Sequence, residues 1–166
     1  MKYLNVAIFA GVAVVVAVAS VSADMPFPHR KAGLWQGVTS MGGHSFSTEY
    51  CIDAASEAKM SAFSSNMRQK KCSASSITHN MDGSWTSTST CEFMPGKTMT
   101  THAVITGDFN SKYTVAVAPQ GTSGPHMTMT VTWLGPCKPG MKGGDVVMSN
   151  GMTMNMMDNS MSGAPK

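Results

Sequence analysis

The feature of this sequence that most constrains its fold is an alternation of residue types with a period of two. It is clearest over residues 44–50, 85–93 and 127–133, where aromatic, Met, Val or Cys side chains recur at alternate positions among Ser and Thr. Successive side chains of a β-strand point to opposite faces, so this pattern predicts strands with one buried and one hydroxyl-rich face. Antiparallel sheets with one wet face have this composition.

Short Gly, Asn and Pro segments punctuate the strands and predict hairpin turns. The predicted turns are at residues 41–43, 80–83, 95–96 and 107–108. One helix is predicted from Asp53 to Phe63, because Asp53 can cap the first turn and the Ala-rich residues that follow favour helix. Ser64, Ser65 and Asn66 are predicted to end it.

These elements predict a mainly β fold, formed by a single curved antiparallel meander sheet that resembles a half-barrel and carries one short helix. Residues 1–23 are predicted to be a signal peptide, and residues 24–140 the β domain. Residues 141–166 are rich in Met, Gly, Ser and Asn and lack aromatic residues, so a flexible tail is expected there, disordered beyond Asn150. Trp35, Trp85 and Trp133 are the expected core anchors.

The N-terminal segment predicts export. Lys2 precedes an apolar run from Val6 to Ala19, and small residues precede Asp24. This is the pattern of a secretory signal cleaved after Ala23, and the run is shorter than the roughly 20 residues needed to cross a bilayer. We therefore expect a periplasmic protein with no membrane span after cleavage, and a monomer.

The four cysteines, Cys51, Cys72, Cys91 and Cys137, all lie in the exported part. An even number in an oxidising compartment predicts two disulfides, and three pairings are possible. The pairing favoured here is Cys51–Cys72 with Cys91–Cys137, which closes one loop over the helix and ties a central strand to the end of the core. A zinc site is the competing interpretation, but the chain has no CxxC pair.

Several short motifs occur in an order that resembles a known family. They are Arg30–Trp35, Tyr50–Asp53, the pair Cys72 and Cys91, Gly107–Phe109 followed by Tyr113 and Thr114, and Trp133–Cys137. Over about residues 26–140 the chain resembles the exported bacterial domain of unknown function 3617. The resemblance implies export in Gram-negative bacteria and brings no activity and no catalytic residue. The chain departs from the family in a shorter segment between Trp35 and Cys51 and in its Met-rich tail.

Charge and motif content argue against two classes of function. The net charge is +3 and the charged residues are dispersed, so nucleic acid is not an expected partner. The sequence has no GxSxG motif, no paired carboxylates and no HExxH or HxH spacing. The five histidines are isolated along the chain: His29, His44, His79, His102 and His126. We therefore expect a protein that is not an enzyme.

Methionine is the outlier of the composition, with 17 residues. Thioether sulfur is a soft ligand that suits Cu(I) or Ag(I). The first functional hypothesis is soft-metal binding by the tail methionines Met148, Met152, Met154, Met156, Met157 and Met161. Contact with a partner and reversible sacrificial oxidation are the other interpretations of these methionines.

The alternative hypothesis is a carrier of an apolar or lipid-like ligand on the concave face of the sheet. Its candidate residues are Trp85, Phe93, Met127, Met129 and Trp133, with Phe46, Tyr50 and Val131 beside them. The same residues also suit an ordinary core packed against the helix. A structural or interaction module of the cell envelope, acting through an exposed strand edge, is a third possibility.

Overall fold

The structure is a computed structural model that describes residues 28–60, 72–121 and 127–163, without the side chains of residues 72–75 and 93. The predicted signal peptide and the predicted end of the helix at residues 64–66 lie outside these residues. Within them the chain forms one helix and ten strands in a single sheet. They are β1 (Gly33–Met41), β2 (His44–Ile52), α1 (Ala54–Met60), β3 (Cys72–His79), β4 (Trp85–Met94), β5 (Lys97–Asp108), β6 (Lys112–Pro119), β7 (Met127–Gly135), β8 (Asp145–Met148), β9 (Thr153–Asn155) and β10 (Met161–Ser162).

The strands lie in the order β10-β9-β8-β2-β1-β7-β6-β5-β4-β3, and every neighbouring pair is antiparallel. The predicted mainly β class, with one antiparallel sheet and one helix, is confirmed. The sheet is not closed, since β3 and β10 are its edges. Strands β3 to β7 form a meander, but the β1–β2 hairpin lies between β7 and β8, which a simple meander does not have.

The predicted turns match the structure at three of their four positions. Gly42 and Gly43 join β1 to β2 with φ of 58° and 80°, left-handed values that suit a two-residue hairpin. Residues 80–83 and 95–96 join the next two hairpins. At the fourth position the strand continues to Asp108 and the turn follows it. Gly107 instead allows close packing, because a Cβ there would lie 2.5 Å from the carbonyl oxygen of Lys112.

The helix begins where the sequence predicts. The Ser56 backbone N–H donates a hydrogen bond of 2.7 Å to Asp53 Oδ1, and the Asp53 backbone N–H donates one of 2.8 Å to Ser56 Oγ. This reciprocal cap satisfies two backbone donors and lowers the pKa of the Asp53 carboxyl, chiefly through the hydrogen bonds from Ser56. The described helix is Ala54–Met60.

The core lies between one face of the sheet and α1. Its largest fully buried side chains include Trp35, Tyr113 and Ile105, and Met60 joins them from the helix. Trp35 therefore lies in the core, as expected. Trp85 and Trp133 are partly buried and pack against it. The regular alternation of the strands supplies this face, because apolar residues two apart point to the same side.

The C-terminal segment, expected to be flexible, is instead part of the sheet. Strand β8 pairs with β2, β9 with β8, and β10 with β9. Val146 is buried in the core, Met156 packs against it, and the Asn155 side-chain amide donates a 2.7 Å hydrogen bond to Asp145 Oδ1. The segment is ordered without a core of its own because its apolar side chains join the core of the β domain. The sheet therefore continues past residue 140, the predicted end of that domain.

One disulfide is present among the described side chains, and it joins Cys51 to Cys137, 86 residues apart. The favoured pairings Cys51–Cys72 and Cys91–Cys137 are therefore wrong. The reason is strand order: Leu34 of β1 pairs with Cys51 on one side and with Gly135 on the other. The chain that leaves β7 therefore passes close to the end of β2, although the two are distant in sequence.

Candidate functional site

One face of the sheet lines a cavity. A row of residues in register crosses five strands, from Phe46 through Thr39, Met129 and Val115 to Ile105. All five line a cavity of about 440 Å³, whose wall extends from β8 to β4. Residues directly opposite in a sheet project to the same side, so the alternation predicted from the sequence produces this wall. The volume is within the range of small-molecule sites, about 300–1,000 Å³.

The wall is mostly apolar with a few hydroxyl groups. Val117, Val131 and Val146 contribute aliphatic surface, with Met60 from the helix and Met156 from the segment after β9. Hydroxyls come from β1, β4 and β5, through Thr39, Ser87, Ser89 and Thr101. Such a wall buries apolar ligand surface and offers polar contacts that orient a ligand.

A buried ion pair also borders the cavity. Arg30 Nη2 lies 2.8 Å from Glu57 Oε2, and the two side chains are 6% and 5% exposed. Arg30 Nε and its backbone N–H also donate hydrogen bonds to the Glu57 carboxylate, at 2.8 and 3.0 Å. Arg30 is a lining residue and Glu57 lies on α1, so the pair ties the helix to the wall. The charges are mutually neutralised, as buried charges must be.

Two tyrosines line the cavity near Arg30, of which Tyr113 is buried and Tyr50 is partly buried. Burial raises the pKa of both phenols, because the ionised form loses hydration. The positive charge of Arg30 opposes this increase in both pKa values, and at Tyr113 a hydrogen bond with Arg30 does the same. Both phenols are therefore neutral at physiological pH, and this side of the cavity presents hydrogen-bonding groups without net charge.

The predicted ligand-contact residues divide into two groups. Met127 and Met129 line the cavity, as do Phe46, Tyr50 and Val131. Trp85 and Trp133 are not lining residues. The ring of Trp85 stacks on His79 with centroids 4.4 Å apart, and Lys31 Nζ lies 3.6 Å above the Trp133 ring. The side chain of Phe93 lies outside the described residues.

Sequence reasoning missed the Arg30–Glu57 pair. Nothing in the period of two marks either residue, and 27 positions separate them. Glu57 is an acidic residue in the first turn of the helix, a position that acidic side chains favour whether or not they are buried. A charged side chain on a helix next to small and apolar residues does not by itself indicate burial, so no local signal identifies this pair.

The predicted metal-ligating methionines are distributed over the C-terminal strands. Met154 of β9 pairs with Met161 of β10, and with Val146 on its other side. Met148 shares the face of Val146, and its backbone N–H donates a 2.8 Å hydrogen bond to the Met152 carbonyl. Met156 lines the cavity, and Met157 packs beside Gly144. Met154 and Met161 are thus the two that the fold pairs directly.

In the part of the chain that the structure describes, no group of three or more His, Cys, Asp or Glu side chains is arranged to hold a metal ion. Within the same residues, no helix has the length and apolar character needed to cross a membrane.

The comparison with protein families identifies the family to which this chain is related. The family described as "Protein of unknown function (DUF3617)" matches residues 30–137. The chain belongs to the DUF3617 family. The DUF3617 match begins at Arg30 of the buried ion pair and ends at Cys137 of the disulfide, so β8 to β10 lie outside it. Neither the curated proteins nor the solved structures include a significant match to this chain.

Proposed function

We propose that this protein is a non-enzymatic periplasmic binding protein that holds an apolar or lipid-like ligand on the concave face of its sheet. The observation that supports this most directly is the cavity of about 440 Å³, lined mainly by apolar side chains. A chain that needed this face only for its own core would fill it, because protein interiors are close-packed. We further propose that the protein acts as a monomer.

The chemistry of the wall favours a ligand with a long apolar part. Burial of a methylene group contributes about 0.8 kcal/mol, so an acyl-like chain gains affinity in proportion to its buried length. Ser87, Ser89 and Thr101 lie together on one side of the cavity and can accept or donate hydrogen bonds. They would orient a hydroxyl, ester or amide group without requiring a charged ligand.

Cavity filling tests this proposal. Ala103 lines the cavity, whereas Ala116 is exposed on the opposite face of the neighbouring strand. We expect the wild-type chain to increase the fluorescence of N-phenyl-1-naphthylamine by binding it. Ala103→Trp should weaken this binding at least tenfold, and the matched Ala116→Trp should not. Wild-type protein that leaves the probe unbound, or an Ala103→Trp variant that binds as well as wild type, would refute the proposal.

A second candidate function is binding of Cu(I) or Ag(I) by the C-terminal methionines. The direct pairing of Met154 with Met161 favours it, since two thioethers then project from the same face. An anaerobic Cu(I) titration against a chromophoric chelator, with Zn(II) as a control, tests it. The double variant Met154→Leu/Met161→Leu should bind fewer equivalents of Cu(I) than the wild-type chain. Unchanged Cu(I) affinity and stoichiometry in that variant would exclude this pair as a site.

We also propose a second disulfide, between Cys72 and Cys91. The two residues are direct partners in the β3–β4 register, a spacing compatible with a disulfide, and none of the cysteines with described side chains is a free thiol. This bridge would brace the edge of the sheet beside the cavity. Non-reducing peptide mapping should recover a Cys72–Cys91 cross-linked peptide. Alkylation of both cysteines without prior reduction would contradict the proposal.

Export remains part of the proposal, through a signal cleaved after Ala23. The mature protein, isolated from the periplasmic fraction, should begin at Asp24. An intact N-terminus in the cytoplasmic fraction would overturn this assignment.

A further inference from the structure

Three potential metal ligands lie side by side at the hairpin end of the concave face. Met41, the last residue of β1, pairs with His44 of β2 on one side and with Met127 of β7 on the other. Directly opposite residues in a sheet project to the same side, so all three side chains share one face. They are also accessible: Met41 is 47% exposed, His44 is exposed and Met127 is partly buried.

The spacing suits a single ion. Neighbouring strands lie about 4.8 Å apart, so the backbones of His44 and Met127 lie roughly 10 Å apart with Met41 midway. An ion above Met41 is then within reach of the two outer side chains, because Met is long and flexible and the imidazole extends well beyond its Cβ. Three ligands on adjacent strands can therefore converge without moving the backbone.

The backbone beneath the three residues is held in place. Met41 and His44 flank the two-residue turn at Gly42 and Gly43, whose positive φ values fix the hairpin geometry. Met127 is held by pairing with both β1 and β6. Ligands on paired strands are better positioned than ligands on a loop, so less ordering is needed when an ion binds.

We propose that Met41, His44 and Met127 form a binding site for a soft monovalent ion, Cu(I) or Ag(I). Two thioethers and one imidazole are soft to intermediate ligands and carry no negative charge, which disfavours Mg²⁺ and Ca²⁺. The site shares no residue with the C-terminal methionines. Met127 also lines the cavity, so the ion would lie at the edge of the proposed ligand site. The metal site does not depend on that ligand, since its three side chains suffice.

The first test is an Ag(I) titration of the wild-type chain, followed by NMR of ¹³C-methyl-labelled Met and of the His rings. The methyl signals of Met41 and Met127 and the ring signals of His44 should shift together and saturate at one equivalent. The methyl signal of Met81, a fully exposed residue in the β3–β4 turn, should not shift in that range. Shifts confined to Met154 and Met161 would overturn the assignment and support the C-terminal site instead.

Variants provide the second test. Met41→Leu, Met127→Leu and His44→Gln should each weaken Cu(I) binding at least tenfold, and Met81→Leu should leave it unchanged. Replacement of Met by Leu approximately conserves side-chain volume, and circular dichroism checks that each variant folds. If the variant that combines all three substitutions bound Cu(I) with wild-type affinity and stoichiometry, the proposal would be overturned. Failure of the apolar-ligand proposal would instead be seen as a lack of binding to N-phenyl-1-naphthylamine, so the two failures are distinguishable.

Discussion

The Arg30–Glu57 ion pair is the residue-scale contact that connects the helix to the wall of the cavity. Both side chains are buried, and the Glu57 carboxylate accepts hydrogen bonds from the backbone and the side chain of Arg30. A buried pair adds little net stability compared with apolar residues, but removal of one partner leaves the other charge uncompensated. The pair therefore anchors α1 to the segment that precedes β1.

Glu57→Ala should lower the free energy of unfolding by about 3–5 kcal/mol, the usual cost of breaking a buried pair. Urea denaturation measures this change. The matched control is Lys138→Ala, which breaks the ion pair with Glu49, where the Lys138 side chain is 55% exposed. That substitution should cost at most about 1 kcal/mol. If the two variants lost the same free energy of unfolding, burial would not be the reason why the Arg30–Glu57 pair contributes to stability.

The two tyrosines that line the cavity predict a loss of stability at high pH. Burial raises the pKa of Tyr113 and of Tyr50 above the ordinary value of 10.0. When the pKa of a tyrosine is higher in the folded chain than in the unfolded chain, its neutral phenol contributes fully to stability at a pH below the unfolded-state pKa. That contribution is lost as the pH rises through the folded-state pKa. The unfolding free energy should therefore fall above pH 10.0. In the Tyr113→Phe variant the free energy of unfolding should fall less steeply with pH, as measured by urea denaturation between neutral and alkaline pH. An equally steep fall would contradict this account.

At the scale of elements, strands β8 to β10 contribute to the core although they lie outside the family match. Val146 is buried, and both Val146 and Met156 line the cavity. Truncation after Gly140 should lower the free energy of unfolding by roughly 3 kcal/mol, mainly through lost apolar burial, and should expose the edge of β2. Urea denaturation and light scattering test both effects. A truncated chain as stable and as monomeric as the full chain would mean that these strands add nothing.

Because this truncation also removes part of the cavity wall, it does not separate metal binding from apolar-ligand binding. Point substitutions at Met154 and Met161 avoid the problem, since neither residue lines the cavity. Because β8 pairs with β2, residues 141–166 cannot be removed without disturbing the wall of the cavity.

At the scale of the whole molecule, the Cys51–Cys137 disulfide joins segments 86 residues apart in sequence. The double variant Cys51→Ala/Cys137→Ala should lower the free energy of unfolding by about 2–4 kcal/mol, because a cross-link restricts the unfolded chain. The control is the wild-type chain under the same non-reducing conditions, and thermal and urea unfolding measure the difference. No loss of stability would mean that the sheet alone holds these ends together.

The sequence by itself determined the features that depend on neighbouring residues. Alternation defined the strands, Gly42 and Gly43 the first hairpin, and Asp53 the start of the helix, because strand, turn and cap preferences act over a few residues. Tertiary structure alone decided the position of the β1–β2 hairpin beside β7, the Cys51–Cys137 bond and the Arg30–Glu57 pair. Each joins segments far apart in the chain, and a periodic pattern contains no information about which distant strand will be its neighbour.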